Sequence, residues 1–456
     1  MHLAEGLRRR ARRALGLVLS LAAVSPAGAW GNHSLLAYRA FEAMPEVARA
    51  PAVRVEPLAD FLRAQEPALA LLLDEHERWA RVQIRAYAPR PTGLRFTTDP
   101  QRDDAARRLA FLRALRLSPQ ARFALYVQPD RRAAQAPAAP LAHEVVSSVA
   151  LTTGATQRFE ALEPGQLVSP LAVLASACDE PDYGLDIDLF DEQASGYGFG
   201  AQPFGNPAIR ISSQAPFHMG FFHQGAVFNR LAPAFTRSLA PLRFHQYSTL
   251  AALAFRSGHD YWGWRFSGLA LHYVQDLAQP YHASAAPGAS LGTMLWANLL
   301  AMVGLPDRKA GLVVLQSNRH FVLERFQTQW ALAATQSGQD GPSELALRNL
   351  SLDRAYPAWS EAYLKDVVAA EAHASGPRTD AAIVVGAPAR YVLDPGFDFG
   401  ANEGSIDLDA ETRTALKAQR ARLQAVLAEL LGHFGAHSRN SLRAILAAGR
   451  SSDQGR

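Results

Sequence analysis

The stretch 255–282, FRSGHDYWGWRFSGLALHYVQDLAQPYH, restricts the fold more than any other part of the sequence. Apolar and aromatic side chains occur on nearly every side of a helix built from it, so few faces remain for water. Such a helix must lie in the interior, with other elements packed around it. The stretch therefore predicts a central core helix that bends or ends near Pro280, because proline interrupts helical hydrogen bonding.

The rest of the sequence also favours helices. Apolar residues recur at three- and four-residue spacing from Trp30 to about Leu73, and 409–448 has an amphipathic helical pattern. Strand-like runs are scarce, 381–385 being a short example, and the sequence has neither a P-loop nor a Rossmann fingerprint. We therefore expect a mainly α fold, with a single large all-helical domain that carries loop insertions.

Residues 1–29 have the three parts of a secretory signal peptide. A basic segment precedes an apolar run over 14–24, and small residues occupy 27–29. The run is too short to span a bilayer comfortably, so we expect cleavage between Ala29 and Trp30 and a periplasmic or secreted protein. An uncleaved interfacial helix is the alternative, and the choice between Sec and twin-arginine export stays open. The helical domain is expected at 30–448 and a disordered tail at 449–456.

Charge and cysteine content narrow the function. The chain has 46 basic and 42 acidic residues, of which five arginines and one glutamate lie in the signal segment, leaving 41 of each. A chain that is neutral after cleavage has no excess of basic residues to cover a nucleic-acid backbone, so we expect no stable nucleic-acid binding. Cys178 is the single cysteine, so packing or metal, rather than an internal disulfide, must stabilise the fold.

Histidines and carboxylates occur at spacings that suit a metal. His272 and Asp276 lie four residues apart in the central stretch and therefore share one helix face, and His282 follows the predicted helix break. His320 and Glu324 repeat the four-residue spacing. A carboxylate buried in an apolar helix is costly without a partner, and a cation removes that cost. Two such helices predict a multinuclear zinc site, while a hydrogen-bonded pair on each helix is the alternative.

The order of these motifs resembles the zinc-dependent phospholipase C and single-strand-specific nuclease superfamily. A Trp directly after the cleavage site, a nearby His, the element HYVQDLAQPYH and a downstream HFVLE follow one another within about 30–330. Members of that superfamily bind zinc through the amino group and carbonyl of an N-terminal Trp and through such His-x3-Asp-x5-His and His-x3-Glu elements. The resemblance implies two or three Zn²⁺ per chain, held by Trp30, His33, Asp182, His218, His272, Asp276, His282, His320 and Glu324.

The resemblance also implies individual roles. Asp276 would bridge two zinc ions with His272 beside it, and Trp30 and His33 would complete a third zinc position with Asp276. The remaining zinc ion is assigned to His282, His320 and Glu324.

Two carboxylates are implied to be catalytic, namely Asp182 and Asp276. Asp182 would act as a zinc ligand or as a base that orients water. Asp179 is the alternative to Asp182, and His223 is the alternative to His218.

The implied activity is hydrolysis of phosphate esters by metal-activated water, most specifically phospholipase C-like cleavage of phospholipid headgroup esters. Two segments would be insertions relative to the superfamily: 55–165, whose role the sequence does not assign, and the apolar 283–317. Residues 283–306 carry no charge, which indicates either another core helix or a surface in transient contact with a membrane. No obligate protein partner is expected.

Two other functions fit the same motifs. A single-strand nuclease or nucleotidase would need aromatic platforms for bases, for which the candidates are Phe217, Phe221, Phe222, Trp262 and Trp264. A non-catalytic zinc-binding protein of the cell envelope is the other alternative. The pair His433 and His437 also has four-residue spacing, but no carboxylate follows it, so we expect a solvated helix face there.

Overall fold

The structure is a computed structural model, and it describes residues 32–132, 139–150, 157–193, 196–206 and 209–450. The described chain is mainly α-helical, as predicted, and its strands are only two or three residues long. The predicted signal peptide and Trp30 lie outside the described residues.

The α-helices vary from single turns to more than thirty residues. In chain order they are His33–Glu42, Pro45–Ala48, Leu58–Ala64, Glu66–Gln83, Asp104–Leu115, His143–Val146, Pro170–Ala177, Ala215–His218, Ala226–Leu231, Ala240–Arg256, Asp260–Leu277, Pro280–Ala283, Leu291–Met302, Asp307–Ser337, Pro342–Leu347, Ala370–Gly386, Ala389–Val392, Phe399–Asn402, Leu408–Ala415 and Lys417–Arg450. Short 3-10 turns lie between them, including Glu180–Tyr183 and Arg210–Gln214, and a π-helical turn at Leu364–Ala369 leads into Ala370–Gly386.

The strands form two small antiparallel sheets. In the first, Val53–Arg54 pairs with Leu167–Val168, with Val53 opposite Val168. In the second, Phe159–Ala161 lies between Tyr126–Val127 and Pro140–Leu141. The first sheet brings together the two ends of the segment that was expected to be an insertion.

The helix Asp260–Leu277 is the centre of the larger apolar core. Every residue from Tyr261 to Leu277 is buried, and the helix packs against Ala240–Arg256, Pro170–Ala177 and Lys417–Arg450. Gly268 permits a close approach to Pro170–Ala177, because a β-carbon there would lie 2.5 Å from the carbonyl oxygen of Leu174. The central helix ends at Leu277 and a new turn begins at Pro280, so the predicted core helix and its break are confirmed.

A second apolar core surrounds the long helix Asp307–Ser337. The helix His33–Glu42 lies between the two cores, since Phe41 packs in the larger one and Leu36 in the smaller one. The candidate ligands come from helices on both sides of this boundary.

Three sequence-based boundaries differ from the structure. The predicted strand 381–385 is wrong, because these residues belong to the helix Ala370–Gly386, whose Ile383 packs in the second core. The amphipathic pattern over 409–448 forms two helices, and the second continues to Arg450, beyond the expected start of the tail. The rest of that tail, 451–456, lies outside the described residues.

The uncharged segment after His282 forms the helix Leu291–Met302, and the following turn leads into the long helix Asp307–Ser337. We call Leu291–Met302 and the turn at 303–306 the apolar hairpin. Its inner side is buried, but Trp296 is 50% exposed and Leu299 is 49% exposed, so it is not a core helix. Among the helices that the structure describes, none is both long and apolar enough to cross a bilayer.

Candidate metal centre

Eight of the nine ligands implied by the resemblance lie in three groups of His, Asp and Glu that could hold metal ions; the ninth, Trp30, lies outside the described residues. Within each group the candidate ligand atoms lie within 4.8 Å of one another. The groups are His33 with His272 and Asp276, Asp182 with His218 and His272, and His282 with His320 and Glu324.

Asp276 lies at the centre of the first two groups. Its Oδ1 is 3.3 Å from Nε2 of His33, while its Oδ2 is 2.7 Å from Nδ1 of His218 and 3.2 Å from Nε2 of His272. Ligand atoms on a tetrahedral zinc ion, with bonds of about 2.0–2.1 Å, lie about 3.3 Å apart. The two carboxylate oxygens therefore face different histidines. The 3.3 Å and 3.2 Å separations from His33 and His272 match those of metal ligands, whereas the 2.7 Å contact with His218 is a hydrogen bond.

Asp182 reaches these groups from the 3-10 turn Glu180–Tyr183. Its Oδ1 lies 3.7 Å from Nδ1 of His218 and 3.8 Å from Nε2 of His272, and its Oδ2 lies 3.9 Å from Nε2 of His33. The Asp182 side chain is 19% exposed, whereas the three histidines are buried. Asp182 is thus the ligand candidate most accessible to water and substrate.

The third group connects the turn Pro280–Ala283 with the long helix. Nε2 of His320 lies 2.7 Å from Oε1 of Glu324, and the rings of His282 and His320 are 5.1 Å apart. Gln279 donates from Nε2 to Oε1 of Glu324 at 3.1 Å and lies 2.9 Å from Nε2 of His320. All four side chains are buried.

Three of the histidines are oriented through the nitrogen that points away from the centre. Nδ1 of His33 donates to Oε1 of Gln275 at 2.8 Å, and Nδ1 of His272 donates to the carbonyl of Cys178 at 2.7 Å. Nδ1 of His282 donates to the carbonyl of His218 at 2.9 Å. Such outer hydrogen bonds select the tautomer whose Nε2 carries a lone pair, as in most histidine ligands to metals.

Several atoms at this centre are buried and lack a hydrogen-bond partner. They are Nε2 of His33, His218 and His282, and Oδ1 of Asp182 and Asp276. An orphaned buried acceptor costs about 1–3 kcal/mol, which a cation bound there would remove. The donor set of imidazole nitrogens and carboxylate oxygens fits zinc.

No family model, no curated protein and no solved structure matches this chain in the comparisons with known proteins.

The electrostatics of the first two groups favour positive charge. Burial lowers the pKa of His33, but its contact with Asp276 and the surrounding carboxylate charges raise it overall to about 9. Burial also lowers the pKa of His218, but its contacts with Asp186 and Asp276 raise it overall to about 10. Burial raises the pKa of Asp276, and the neighbouring histidines more than reverse this, holding it well below its ordinary value. Without metal, protons on the two imidazoles compensate the carboxylates.

The third group shows the opposite pattern. Burial lowers the pKa of His282 to about 4 and also lowers that of His320. Burial is the main cause of the raised pKa of Glu324, and the charge of Glu403 adds to it. At neutral pH these imidazoles are therefore uncharged, which is the form that binds metal.

The alternatives considered from sequence have other contacts. Asp179 is buried and accepts from the backbone N–H of Ser34 at 3.1 Å and from Gln128 Nε2 at 2.7 Å. His223 donates from Nε2 to the carbonyl of Lys365 at 2.7 Å. Neither belongs to the three groups, which instead contain Asp182 and His218.

Sequence reasoning missed the residues that support the ligands. Gln275 lies three residues after His272 in the same helix, so helical spacing is a usable signal for it. Gln279 follows the end of that helix and has no such signal. The carbonyl of Cys178 and the carboxylate of Asp186 had no such signal, because loops bring them to the centre.

Proposed function

We propose that this protein is an exported zinc-dependent phosphoesterase of the phospholipase C type. The observation that carries the proposal is the convergence of three buried histidines with Asp182 and Asp276, with acceptor atoms left without partners. The motif order that resembles the zinc-dependent phospholipase C and nuclease superfamily supports the same assignment.

The residues have distinct roles in this proposal. His33, His272, Asp276, Asp182 and His218 would hold zinc in the first two groups, and the third group would hold one further ion. Zinc bound there would lower the pKa of a water molecule and neutralise charge that develops on the phosphoryl oxygens.

Asp182 orients the attacking water and takes up its proton, because it is the most exposed carboxylate of the centre and its Oδ1 has no hydrogen-bond partner. Asp276 is buried and supplies negative charge between the histidines, which keeps positive charge concentrated at the reacting phosphate. The buried imidazoles exclude bulk water and hold this geometry.

The apolar hairpin supports a lipid substrate. Besides Trp296 and Leu299, it exposes Met302, Val303 and Leu305, and 283–306 carry no charge. Trp with aliphatic neighbours is typical of surfaces that enter the headgroup region of a bilayer. The hairpin lies in the chain between the ligand candidates of the third group.

The hairpin tip is remote from the chemistry. The fourteen residues from Asp307 to His320 span about 20 Å of helix, so the tip cannot contact the reacting phosphate. In this proposal it retains the protein at the lipid surface, while the metal centre cleaves the headgroup ester.

Most of the aromatic residues that could stack on bases in the nuclease alternative are buried. Phe217, Phe221, Trp262 and Trp264 are buried in the apolar cores, and only Phe222 is partly accessible. Core packing therefore explains four of the five aromatic residues that the sequence offered for base stacking.

The test is a parallel assay of the zinc-loaded protein on phosphatidylcholine vesicles, a soluble phosphodiester dye and single-stranded DNA, with metal analysis. We expect stoichiometric zinc and hydrolysis of the lipid and the dye. Hydrolysis of DNA alone would contradict the lipid assignment. Zinc binding without any hydrolysis would favour the non-catalytic envelope protein, and failure to bind zinc would overturn the proposed centre.

The hairpin is tested by Trp296→Ser combined with Leu299→Ser. We expect lower activity on vesicles and unchanged activity on the soluble dye. A matched control is Leu71→Ser with Val82→Ser, which removes two side chains that are 71% and 78% exposed on another helix. Equal loss of vesicle activity in both double variants would show that the hairpin has no specific role at the lipid surface.

The proposed role of Trp30 as a zinc ligand is tested by blocking its amino group. We expect protein that begins at Trp30 to bind one more zinc ion than protein with one extra residue before it, because a peptide bond removes the free amine. Equal zinc content and equal activity would remove Trp30 from the ligand set and leave a smaller cluster.

A further inference from the structure

Asp186 is a fully buried carboxylate that the sequence pattern did not identify. It lies four residues after Asp182, and its Oδ1 accepts from Nε of Arg243 at 2.7 Å. Its Oδ2 accepts from the hydroxyl of Tyr273 at 2.6 Å and lies 3.5 Å from Nε2 of His218. Three side chains from three helices therefore converge on one carboxylate.

His218 is oriented differently from the other histidines of the first two groups. His33 and His272 direct Nε2 to Asp276, because their Nδ1 atoms donate elsewhere. His218 instead directs Nδ1 to Oδ2 of Asp276, at 2.7 Å. Its ring is thus reversed, and the nitrogen that points away from the centre is Nε2.

In this reversed orientation, Nε2 of His218 needs a hydrogen-bond acceptor. A neutral imidazole carries one N–H, so Nδ1 offers a lone pair only when the proton is on Nε2. Nε2 of His218 is buried and makes no hydrogen bond in the structure, and Oδ2 of Asp186 lies 3.5 Å from it. Asp186 is therefore placed to accept from Nε2.

Asp186 is held rigidly for this task. Arg243 is fully buried and also donates to the carbonyls of Leu115 and Arg116 and to Oε1 of Gln246. With the guanidinium anchored by three other acceptors, the carboxylate beside it has little freedom to rotate. The same ion pair compensates the burial of the Asp186 charge.

We propose that Asp186 is a positioning residue that holds His218 in the tautomer with the proton on Nε2 and with Nδ1 free to bind metal. The proposal rests on the metal centre of the proposed function and adds a residue outside the ligand set. It also accounts for a buried ion pair directly behind the centre.

The first test is the variant Asp186→Asn, measured by zinc competition with a chelating dye. An amide that presents its NH₂ to Nε2 favours the opposite tautomer, with the proton on Nδ1. We expect zinc affinity in the second group to fall by about 10- to 100-fold, the range for loss of such outer partners. The matched control is Tyr273→Phe, which removes one hydrogen bond from the same carboxylate but leaves its charge beside His218.

Tyr273→Phe should bind zinc with nearly the wild-type affinity, even where its melting temperature falls as much as that of Asp186→Asn. Equal loss of affinity in both variants would mean that Asp186 acts only through packing, and would overturn the proposal. Unchanged affinity in Asp186→Asn would overturn it as well.

The second test reads the tautomer directly, by ¹⁵N NMR of histidine-labelled, zinc-loaded protein. We expect a proton on Nε2 of His218 and metal on Nδ1. A proton on Nδ1 of His218 in zinc-loaded wild-type protein would overturn the role of Asp186 and leave the zinc centre standing. A wild-type protein that binds no zinc would instead overturn the proposed function, and the role of Asp186 with it.

Discussion

Among the described residues, the candidate metal centre and the cluster around Glu371 each combine several histidines with a carboxylate, and they are built differently. At the candidate metal centre, Nδ1 of His33 and of His282 donates to a protein acceptor, while Nε2 is buried without a partner. In the C-terminal helix, His437 donates from Nε2 to Glu371 at 2.9 Å and accepts at Nδ1 from Tyr363 at 3.0 Å. Both ring nitrogens of His437 are thus used within the protein.

The second region corrects an expectation from sequence. His433 and His437 were predicted to form a solvated face, but His437 is buried, and Nδ1 of His433 lies 3.2 Å from Glu371. Tyr356 donates to both oxygens of Glu371, at 3.1 and 2.9 Å. The carboxylate of Glu371 comes from another helix, so the local sequence around His433 and His437 does not show that it lies beside them.

Four-residue spacing of histidines and carboxylates does not by itself identify a metal site. Four-residue spacing places two side chains on one helix face in both regions. What separates the regions is that Nε2 of His33 and of His282 has no partner, whereas both ring nitrogens of His437 have one. Metal binding should therefore depend on the first region and be indifferent to the second.

The largest effect is expected for Asp276→Asn. The amide removes the negative charge and the capacity to join two cations, which would then repel each other in a site of reduced dielectric. We expect loss of more than one zinc ion per chain and an activity at least about 100-fold lower, the scale of lost charge stabilisation in a transition state. Metal analysis and the soluble phosphodiester assay measure both, and a full zinc complement would show that Asp276 does not bridge.

A smaller effect is expected for Glu324→Gln. Glu324 belongs to the third group alone, so the variant should lose one zinc ion and retain those near Asp276. Metal analysis of Glu324→Gln and Asp276→Asn, measured side by side, shows how many zinc ions each variant retains. Loss of all zinc from Glu324→Gln would mean that the groups form one inseparable cluster.

The pH dependence of zinc binding should follow the protons on His33 and His218. With pKa values of about 9 and about 10 in the metal-free protein, both imidazoles are protonated at pH 7, and zinc must displace one proton from each. Zinc affinity should therefore rise with pH until about 10. Calorimetry in buffers of different ionisation enthalpy counts the protons, and zinc uptake without proton release at pH 7 would contradict this prediction.

The same pKa values set the stability of the metal-free protein. Because both are raised above the ordinary value of 6.5, they stabilise the fold fully below about pH 6.5, and this contribution is lost as pH rises through about 9 to 10. The melting temperature of metal-free protein should fall over that window. That of zinc-loaded protein should fall less, since metal replaces the protons.

The smallest effect is expected for Glu371→Gln, in the cluster of Glu371 with His433 and His437. Glutamine keeps an acceptor for Tyr356 but weakens the contacts to His433 and His437, so we expect a loss of about 1 kcal/mol in the free energy of unfolding. Zinc content and activity should not change. Loss of zinc in this variant would break the distinction between the two regions.

Much of the fold and part of the centre could be predicted from sequence. The helical class and the break before Pro280 follow from local periodicity and from the geometry of proline. The shared faces of His272 with Asp276 and of His320 with Glu324 follow from helix geometry alone. The run 381–385 was misread as a strand, because packing against the second core favours a helix there over the β-propensity of its Ile and Val residues.

The sequence by itself determined which segments are helices and which imidazole and carboxylate pairs share a helix face, because both depend on neighbours a few residues apart. Only the tertiary structure decided which inward-facing atoms find partners. Asp186 meets His218, and Glu371 meets His437, across separations along the chain that no local pattern encodes. The physical reason is that a buried polar atom finds a hydrogen-bond partner only among the groups that pack against it in space.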